Sequence, residues 1–570
     1  MSDDPDPASR AELTALLKAG DTEALASRFG EPLTFGTAGI RGPLGAGPAR
    51  MNRATVRRVT AGLARYLDEA VSAKAGPGQL GPDAADRPVV IGHDARRGSR
   101  EFADEAAAVL TGAGRTVLRL PAPGPTPLLA FAVRYLHAVA GVMVTASHNP
   151  RDDNGVKVYW GDGAQIVPPV DTGIAAAAAA GPLRDVPLGP PGEFLGDEVT
   201  EAYLDAILAA VPLPDFDSRK FLRIAYTPLH GVGLDTVQQV FARAGFQPMS
   251  VVPGQAEPDG AFPTLPKPNP EEPGALDLLM AEATRAGADL ALANDPDADR
   301  VAVALPDPAA RHGWRVLTGD EIGALLGDYL LRHTPEPARR LLVTTIVSSS
   351  LLGELAAAAG AAFAETLTGF KWIMRASDDP AASAGHRFLF GYEEALGYAV
   401  TELVRDKDGM SAALALAGAA AEAKSQGRTL AGLLDDIARR FGLYATGQFS
   451  VDLSGGPEAG SALLAAARNA PPLSLLGQPV TSIDDLGLGL RSRADGTKDP
   501  LALPRSDVII WRCGDGTRVA VRPSGTEPKV KIYLQVVLPA AGRQDLGPLR
   551  AQAAERLADL RQEIAEVLHL

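Results

Sequence analysis

The 570-residue chain is long enough for about three to five domains, and its 46% hydrophobic and 22% charged residues give the balance of a globular protein with ample material for buried cores. A net charge of −14 argues against a nucleic-acid binder, which carries a basic excess, and the single cysteine, Cys513, excludes an intramolecular disulfide or a thiolate metal cage. The same acidity means that an anionic ligand must be drawn in by a local basic pocket. The N-terminus, Met1-Ser2-Asp3-Asp4-Pro5, has no basic segment followed by an apolar stretch, so no secretory signal is expected. The longest apolar runs, such as 412–421, are too short to span a bilayer. A cytoplasmic protein without membrane or nucleic-acid partners fits these features.

From residue 88 short apolar runs alternate with helical patterns. Residues 89–92 read as a buried strand, 101–112 as a helix, 116–120 as a strand, 126–136 as a helix and 138–144 as a strand. This is the alternation of an α/β sheet. The rhythm restarts with a strand at 222–227, a helix at 234–244, a strand at 248–252, a helix at 273–286 and a strand at 289–293. A third round follows: helix 321–331, strand 341–345, helix 351–359. The C-terminal part differs, with strands at 507–512, 518–522 and 529–537 and a long helix at 549–568, a mostly antiparallel α+β pattern. Residues 75–87 and 175–193, rich in Ala, Gly and Pro, read as an insertion loop and a surface connector. The division expected is 1–213, 214–317, 318–441 and 442–570.

Several loops carry residues suited to chemistry. Thr145-Ala146-Ser147-His148-Asn149-Pro150 follows a strand, where an α/β sheet places ligands. Taken alone these residues read more plainly as a turn. Gly is missing two residues either side of Ser147, so a hydrolase nucleophile elbow is not favoured. Asp295-Pro296-Asp297-Ala298-Asp299-Arg300 also follows an apolar strand. Its alternating carboxylates form a hard oxygen site that suits Mg²⁺ better than a solvated acidic turn. Arg300 and Pro306 stand where an EF-hand needs Gly and Glu, so a calcium loop fails.

Arg522-Pro523-Ser524-Gly525-Thr526-Glu527-Pro528 reads equally as a phosphate cradle or a tight turn. Two further stretches resemble a sugar-recognition surface or ordinary connections with core aromatics. They are Thr366-Leu367-Thr368-Gly369-Phe370-Lys371-Trp372 and Gly391-Tyr392-Glu393-Glu394-Ala395-Leu396-Gly397-Tyr398. The Gly-rich loop with Arg41 and the Asn154-Gly155-Val156-Lys157 segment read more plainly as surface turns with solvated charges. No Walker A sequence is present.

Taken together and in this order, the loops resemble the α-D-phosphohexomutase superfamily, from about residue 36 to 533. The resemblance implies three similar α/β domains with mixed sheets and a C-terminal α+β domain around a central cleft. It implies a phosphoserine at Ser147, with the Mg²⁺ ligands Asp295, Asp297 and Asp299 completed by the phosphate on Ser147. Arg41, His148, Lys157 and Arg300 match residues around the transferred phosphate, Lys157 as general acid/base. Arg522, Ser524, Gly525 and Thr526 match the loop that holds the other phosphate. Glu394 matches a sugar-contacting glutamate, beside Glu393, with Thr368, Gly369 and Lys371 also on the substrate side. A sugar 1,6-bisphosphate is the implied activator, and a monomer or homodimer the implied assembly.

Many members have Ser and His where this chain has Leu396 and Tyr398, and the sequence is similar to the branch of larger bacterial phosphoglucomutases and phosphopentomutase-type enzymes. Glucose phosphate, then mannose phosphate, is the expected substrate. A pentose phosphate is the alternative, and a sugar-phosphate phosphatase stands further off. A non-catalytic binding protein would not need the nucleophile.

Overall fold

In the computed structural model, which describes residues 4–36, 39–72, 80–452, 457–523 and 529–569, the apolar runs of the N-terminal half are inner strands of two mixed sheets. The chain divides into two compact units, Met1–Leu317 with Ala395–Gln426, and Thr318–Glu394 with Gly427–Leu570.

The first sheet of the first unit contains β1 (Ile40–Pro43), β2 (Val89–His93), β3 (Val117–Arg119), β4 (Ala140–Val144), β5 (Asp153–Trp160) and β6 (Glu193–Phe194), in the order β1-β5-β4-β2-β3-β6. β4, β2, β3 and β6 run parallel, whereas β5 and β1 make an antiparallel edge. Every residue of β2 and β4 is buried, because helices cover the parallel part. Val56, Leu63 and Leu67 of helix Arg53–Ser72 and Phe102 and Leu110 of helix Ser99–Gly112 pack with Ile91, Val142 and Val158 in one core.

Part of 175–193 is not the connector expected. Helix Val170–Ala178 runs into it and β6 lies at its end. The small residues explain the packing: a Cβ at Gly62 would stand 2.7 Å from the Cβ of Ala178, and one at Gly173 would stand 2.2 Å from the Tyr66 ring. Bulkier side chains would push this helix off helix Arg53–Ser72.

The second sheet of this unit contains β7 (Ile224–Thr227), β8 (Ser250–Val251), β9 (Leu290–Asn294), β10 (Val301–Pro306) and β11 (Trp314–Val316), in the order β11-β10-β9-β7-β8. β7 is parallel to β8 and β9, and β10 is antiparallel to β9 and β11.

In the second unit β12 (Arg340–Thr345) is parallel to β13 (Ala362–Thr366) and β14 (Arg387–Glu393). Helix Gly319–His333 enters this layer through a capping box made by Thr318 and Glu321. The chain then returns to the first unit through β15 (Gly397–Ala399) and helix Gly409–Ser425. That helix holds the 412–421 apolar run and is buried nearly all round. Among the described residues no helix is long and apolar enough to cross a membrane.

The C-terminal part of the second unit has β16 (Leu443–Asp452), β17 (Ser474–Leu475), β18 (Gln478–Asp485), β19 (Leu490–Arg493), β20 (Lys498–Pro500), β21 (Ile509–Cys513), β22 (Arg518–Pro523) and β23 (Lys529–Leu538). They pair antiparallel in the order β16-β23-β22-β21-β18-β19-β20, with β17 on β18. Helix Gly547–Val567 packs Leu549, Leu560 and Ile564 on this sheet. The antiparallel α+β reading of this part therefore agrees with the structure.

Candidate active site

β4 and β9 end next to two loops, and the side chains of both loops meet in the first unit. Ser147, 1% exposed, takes the left-handed backbone conformation with φ 53°. For a residue with a Cβ this costs on the order of 1 kcal/mol, and such strain gathers at functional sites. The local network over-determines it. The Ser147 N–H donates to Thr145 Oγ1 (2.8 Å), and Thr145 Oγ1 donates to Asp94 Oδ2 (2.6 Å). Ser147 Oγ donates to Asp295 Oδ2 at 2.7 Å and lies 3.1 Å from His148 Nδ1.

Asp295, Asp297 and Asp299 are all buried, and one carboxylate oxygen of each lies within 4.8 Å of the others. At that separation two full charges repel by about 3.5 kcal/mol for an effective dielectric near 20. Part of this is offset by Lys157, whose Nζ donates to Asp297 Oδ2 (2.6 Å) and Asp299 Oδ2 (2.7 Å). Lys407 Nζ lies 3.3 Å from the same Asp299 oxygen. Burial pushes Asp295 and Asp297 above the usual carboxylate range, and the Asp299 charge adds to this. Burial acts on Asp299 too, but Lys157, Lys407 and Arg300 outweigh it and hold that carboxyl well below the usual range.

Oδ1 of Asp297 and Oδ1 of Asp299 are buried and accept no hydrogen bond among the described residues. Three buried carboxylates, two of them with a spare oxygen, fit a hard divalent cation. Ala298, at φ 55°, turns the loop so that the three carboxylates converge.

Lys157 corrects the surface-turn reading. It lies on β5 opposite Met143 of β4 and is fully buried. Gly155 is there for close packing rather than for a turn: a Cβ would stand 2.5 Å from the Ile40 carbonyl oxygen. Arg41 is likewise on a strand, β1, opposite Gly155. Its Nη1 reaches Asn149 Oδ1 at 3.4 Å, and its buried Nε has no partner among the described residues. Thr37 and Ala38 of the same Gly-rich loop lie outside the described residues.

Burial, then the neighbouring Arg300 and Arg41, pushes the His148 imidazole well below its ordinary value, so the ring is neutral at pH 7. The Arg300 N–H donates to Asp295 Oδ1 (3.0 Å), and its guanidinium donates to the Ala395 carbonyl. The structure thus brings Arg41, Ser147, His148, Lys157, Asp295, Asp297, Asp299 and Arg300 together.

Other participants have no signal in the sequence. Thr126 opens helix Thr126–Tyr135 and donates from Oγ1 to Asp297 Oδ2 (2.5 Å). Lys407 is backed by Asp406 (3.2 Å), which accepts from Tyr159 and Gln165, each at 2.6 Å. In the sequence Arg405-Asp406-Lys407-Asp408 is a mixed charge run of the kind that solvated loops carry.

In the second unit Glu394 follows β14. Its N–H donates to Ser348 Oγ (3.2 Å), and Ser348 Oγ donates back to Glu394 Oε2 (2.8 Å). Thr345 Oγ1 donates to the same oxygen at 3.2 Å. Glu393 ends β14, and Thr368 and Gly369 precede helix Phe370–Arg375, whose first turn carries Lys371. Arg522 is on β22 with its buried Nε lacking a partner among the described residues. Burial pushes the Tyr533 hydroxyl up to about 12, with Arg522 opposing and Glu394 and Glu393 adding to the rise, which places these groups in one neighbourhood. Ser524, Gly525 and Thr526 lie outside the described residues. Leu396 and Tyr398 are both buried.

Sequence profiles of four domains match the chain in order. They are phosphoglucomutase/phosphomannomutase α/β/α domain I over residues 32–184, domain II over 201–308, domain III over 318–441 and the C-terminal domain over 498–544. The chain belongs to the phosphoglucomutase/phosphomannomutase family. It is therefore an isomerase of phosphosugars, a phosphotransferase built on the four-domain fold that the sequence resembled.

This family member is 41% identical to a probable phosphomannomutase of Haemophilus influenzae over 85% of its own length and 92% of the relative. It is 36% identical to a probable phosphoribomutase of Schizosaccharomyces pombe over 93% and 91%. The crystal structure of a phosphoglucomutase/phosphomannomutase family protein from Burkholderia thailandensis superimposes with a TM-score of 0.67 at 17% identity, covering 94% of this chain and 97% of that one. At that identity the likeness shows the fold alone.

Proposed function

We propose that the chain interconverts the 1-phosphate and 6-phosphate of a hexose, glucose first and mannose second, with Ser147 as the phosphoryl carrier. The observation that carries this reading is the Ser147 hydroxyl held 2.7 Å from Asp295, at the rim of a carboxylate cluster laced by Lys157. A binding protein has no use for an oriented nucleophile at a cation site.

Phospho-Ser147 gives its phosphoryl group to the free hydroxyl of a sugar monophosphate. The serine P–O bond breaks, a sugar P–O bond forms, and a bisphosphorylated sugar results. The reverse step at the other phosphate restores phospho-Ser147. The proton lost by the sugar hydroxyl balances the one taken up by Ser147 Oγ, and Lys157, a buried amine that donates to Asp297 and Asp299, is the general acid/base assigned to that exchange in this reading. Asp295, Asp297 and Asp299 would hold Mg²⁺, which would supply Lewis-acid stabilisation of charge on the transferring group. Arg41, with a free buried Nε, and Arg300 bind the phosphoryl oxygens. His148, neutral, accepts or donates a hydrogen bond without adding charge. Glu394 orients the sugar beside Glu393, Thr368, Gly369 and Lys371. The loop with Arg522, Ser524, Gly525 and Thr526 takes the non-reacting phosphate. A sugar 1,6-bisphosphate loads Ser147, and the setting is the cytoplasm.

Leu396 and Tyr398 occupy the positions of a Ser and a His in many family members, and both are buried. With these two groups gone, the pocket reads the sugar hydroxyls differently from those members, and Glu394 remains as the sugar-contacting residue for glucose or mannose phosphate. The same loss favours a second reading, a phosphopentomutase on ribose 1-phosphate. The test is kcat/KM for glucose 1-phosphate against ribose 1-phosphate with Mg²⁺ and the matching bisphosphate. A glucose preference of about tenfold, or roughly 1.4 kcal/mol, supports the hexose reading. A ribose preference overturns it, and steady release of free phosphate makes the chain a phosphatase.

A further inference from the structure

Arg96 lies in the loop after β2 and is 4% exposed. Its guanidinium gathers four carbonyl oxygens of the segment that carries Ser147. Nη2 donates to Ser147 (2.6 Å) and Asn149 (2.6 Å), and Nη1 donates to Pro150 (2.8 Å) and Asp153 (3.1 Å). The Phe262 ring lies against the guanidinium, 4.9 Å from its centroid to Cζ. The Arg96 backbone bridges to Gly260, where a Cβ would stand 2.5 Å from the Ala95 carbonyl oxygen, so the segment bearing Phe262 is held close. Asp94 sits 3.6 Å from Nε and also receives the Arg96 N–H at 2.9 Å.

This arrangement bears on Ser147 itself. The peptide plane before Ser147 is fixed by its N–H on Thr145 Oγ1, and the plane after it by its carbonyl on Arg96 Nη2. With φ at 53° and both planes pinned, the side chain keeps one rotation, and Asp295 sets that one. A planar fork with five donors can serve four converging oxygens, whereas a lysine ammonium is a single point that cannot.

We propose that Arg96 is a positioning residue for phosphoryl transfer: it fixes the strained backbone of Ser147 so that Oγ, and the phosphate it carries, is held at the carboxylate cluster. This rests on Ser147 being the carrier, as read above. Arg96 acts through the backbone of residues 147–153, to which both of its Nη atoms donate, so its loss should act on kcat and leave KM in place. A misplacement of about 1 Å in a reacting group costs on the order of a hundredfold in rate.

The experiment uses the full-length protein with Arg96→Lys and Arg96→Met, beside wild type and Ser147→Ala. Steady-state kinetics are run on the sugar phosphate that wild type turns over best. ³¹P NMR of the phosphoserine after loading with glucose 1,6-bisphosphate, circular dichroism and thermal unfolding accompany them. The expected result is a folded variant with kcat lowered about thirtyfold to a hundredfold, KM within about threefold of wild type, and a shifted phosphoserine resonance. A folded variant with kcat within threefold of wild type overturns the proposal. So does a KM that rises as kcat falls, an unmoved phosphoserine resonance, or an Arg96→Lys protein that cannot fold, which would make Arg96 a residue of stability. Failure of the underlying reading looks different: Ser147→Ala would still turn over, or wild type would turn over no sugar phosphate.

Discussion

Replacing Lys157 by Met removes one ammonium from between two buried carboxylates and keeps the side-chain volume near native. Lys157 is fully buried and bonds Asp297 and Asp299 at 2.6 and 2.7 Å. Removing one partner of a buried ion pair costs about 3–5 kcal/mol, because the remaining charge is left unpaired. Here it leaves two, each repelling the other and Asp295 by about 3.5 kcal/mol at an effective dielectric near 20. Lys407 compensates Asp299 only in part, at 3.3 Å. At roughly 2 °C per kcal/mol for a large domain, the transition of the first unit should fall by about 6–10 °C. The assay is differential scanning calorimetry in EDTA and again with excess Mg²⁺. A divalent cation on the spare Asp297 and Asp299 oxygens replaces the missing charge, so the deficit should shrink by half or more when Mg²⁺ is present. An equal deficit with and without Mg²⁺, or one below about 1 kcal/mol in EDTA, would refute the electrostatic account of this cluster.

Ser147→Ala should abolish mutase turnover while leaving the unfolding temperature within a few degrees, as read by kinetics and calorimetry; retained turnover removes Ser147 from the mechanism. Glu394→Gln should lower kcat/KM by about tenfold to a hundredfold, the span of one hydrogen bond to a charged group, and Ser348→Ala should give a smaller fall because Glu394 loses its anchor. Burial, with Asp515 adding, pushes the Cys513 thiol up to about 11. At pH 8 the thiolate fraction is then about a hundredfold below that of a free cysteine, so alkylation should be slow in the native protein and fast in guanidinium; equal rates would refute the burial.

The sequence shows the parallel strands because burial on both faces leaves unbroken apolar runs, as at Val89–His93 and Ala140–Val144. The loops after β4 and β9 are legible for a related reason: their polar residues follow such runs directly. Lys157 misleads because Asn154-Gly155 imitates a turn, while the glycine is required by the close approach of the Ile40 carbonyl. Arg96, Asp406 and Lys407 carry no local signal, since each is buried by partners far along the chain: Arg96 by Ser147 to Asp153, Asp406 by Tyr159 and Gln165, Lys407 by Asp299. The tract at 175–193 reads as a connector because alanine imposes no pattern, although its small size is what lets helix Val170–Ala178 pack.

The return of the chain to the first unit has a consequence for synthesis. A nascent chain that has reached Leu317 has both sheets of that unit but lacks Ala395–Gln426, and with it Lys407 and helix Gly409–Ser425. At about 5–20 residues per second, the missing stretch takes roughly 5–20 s to emerge. Through that interval Asp299 has been made without its second lysine, and β9 and β10 without the helix that covers them. Vectorial folding therefore cannot finish the first unit before the ribosome has passed Thr318–Glu394, and a truncation at 317 would strand an acidic cluster that is short of positive charge.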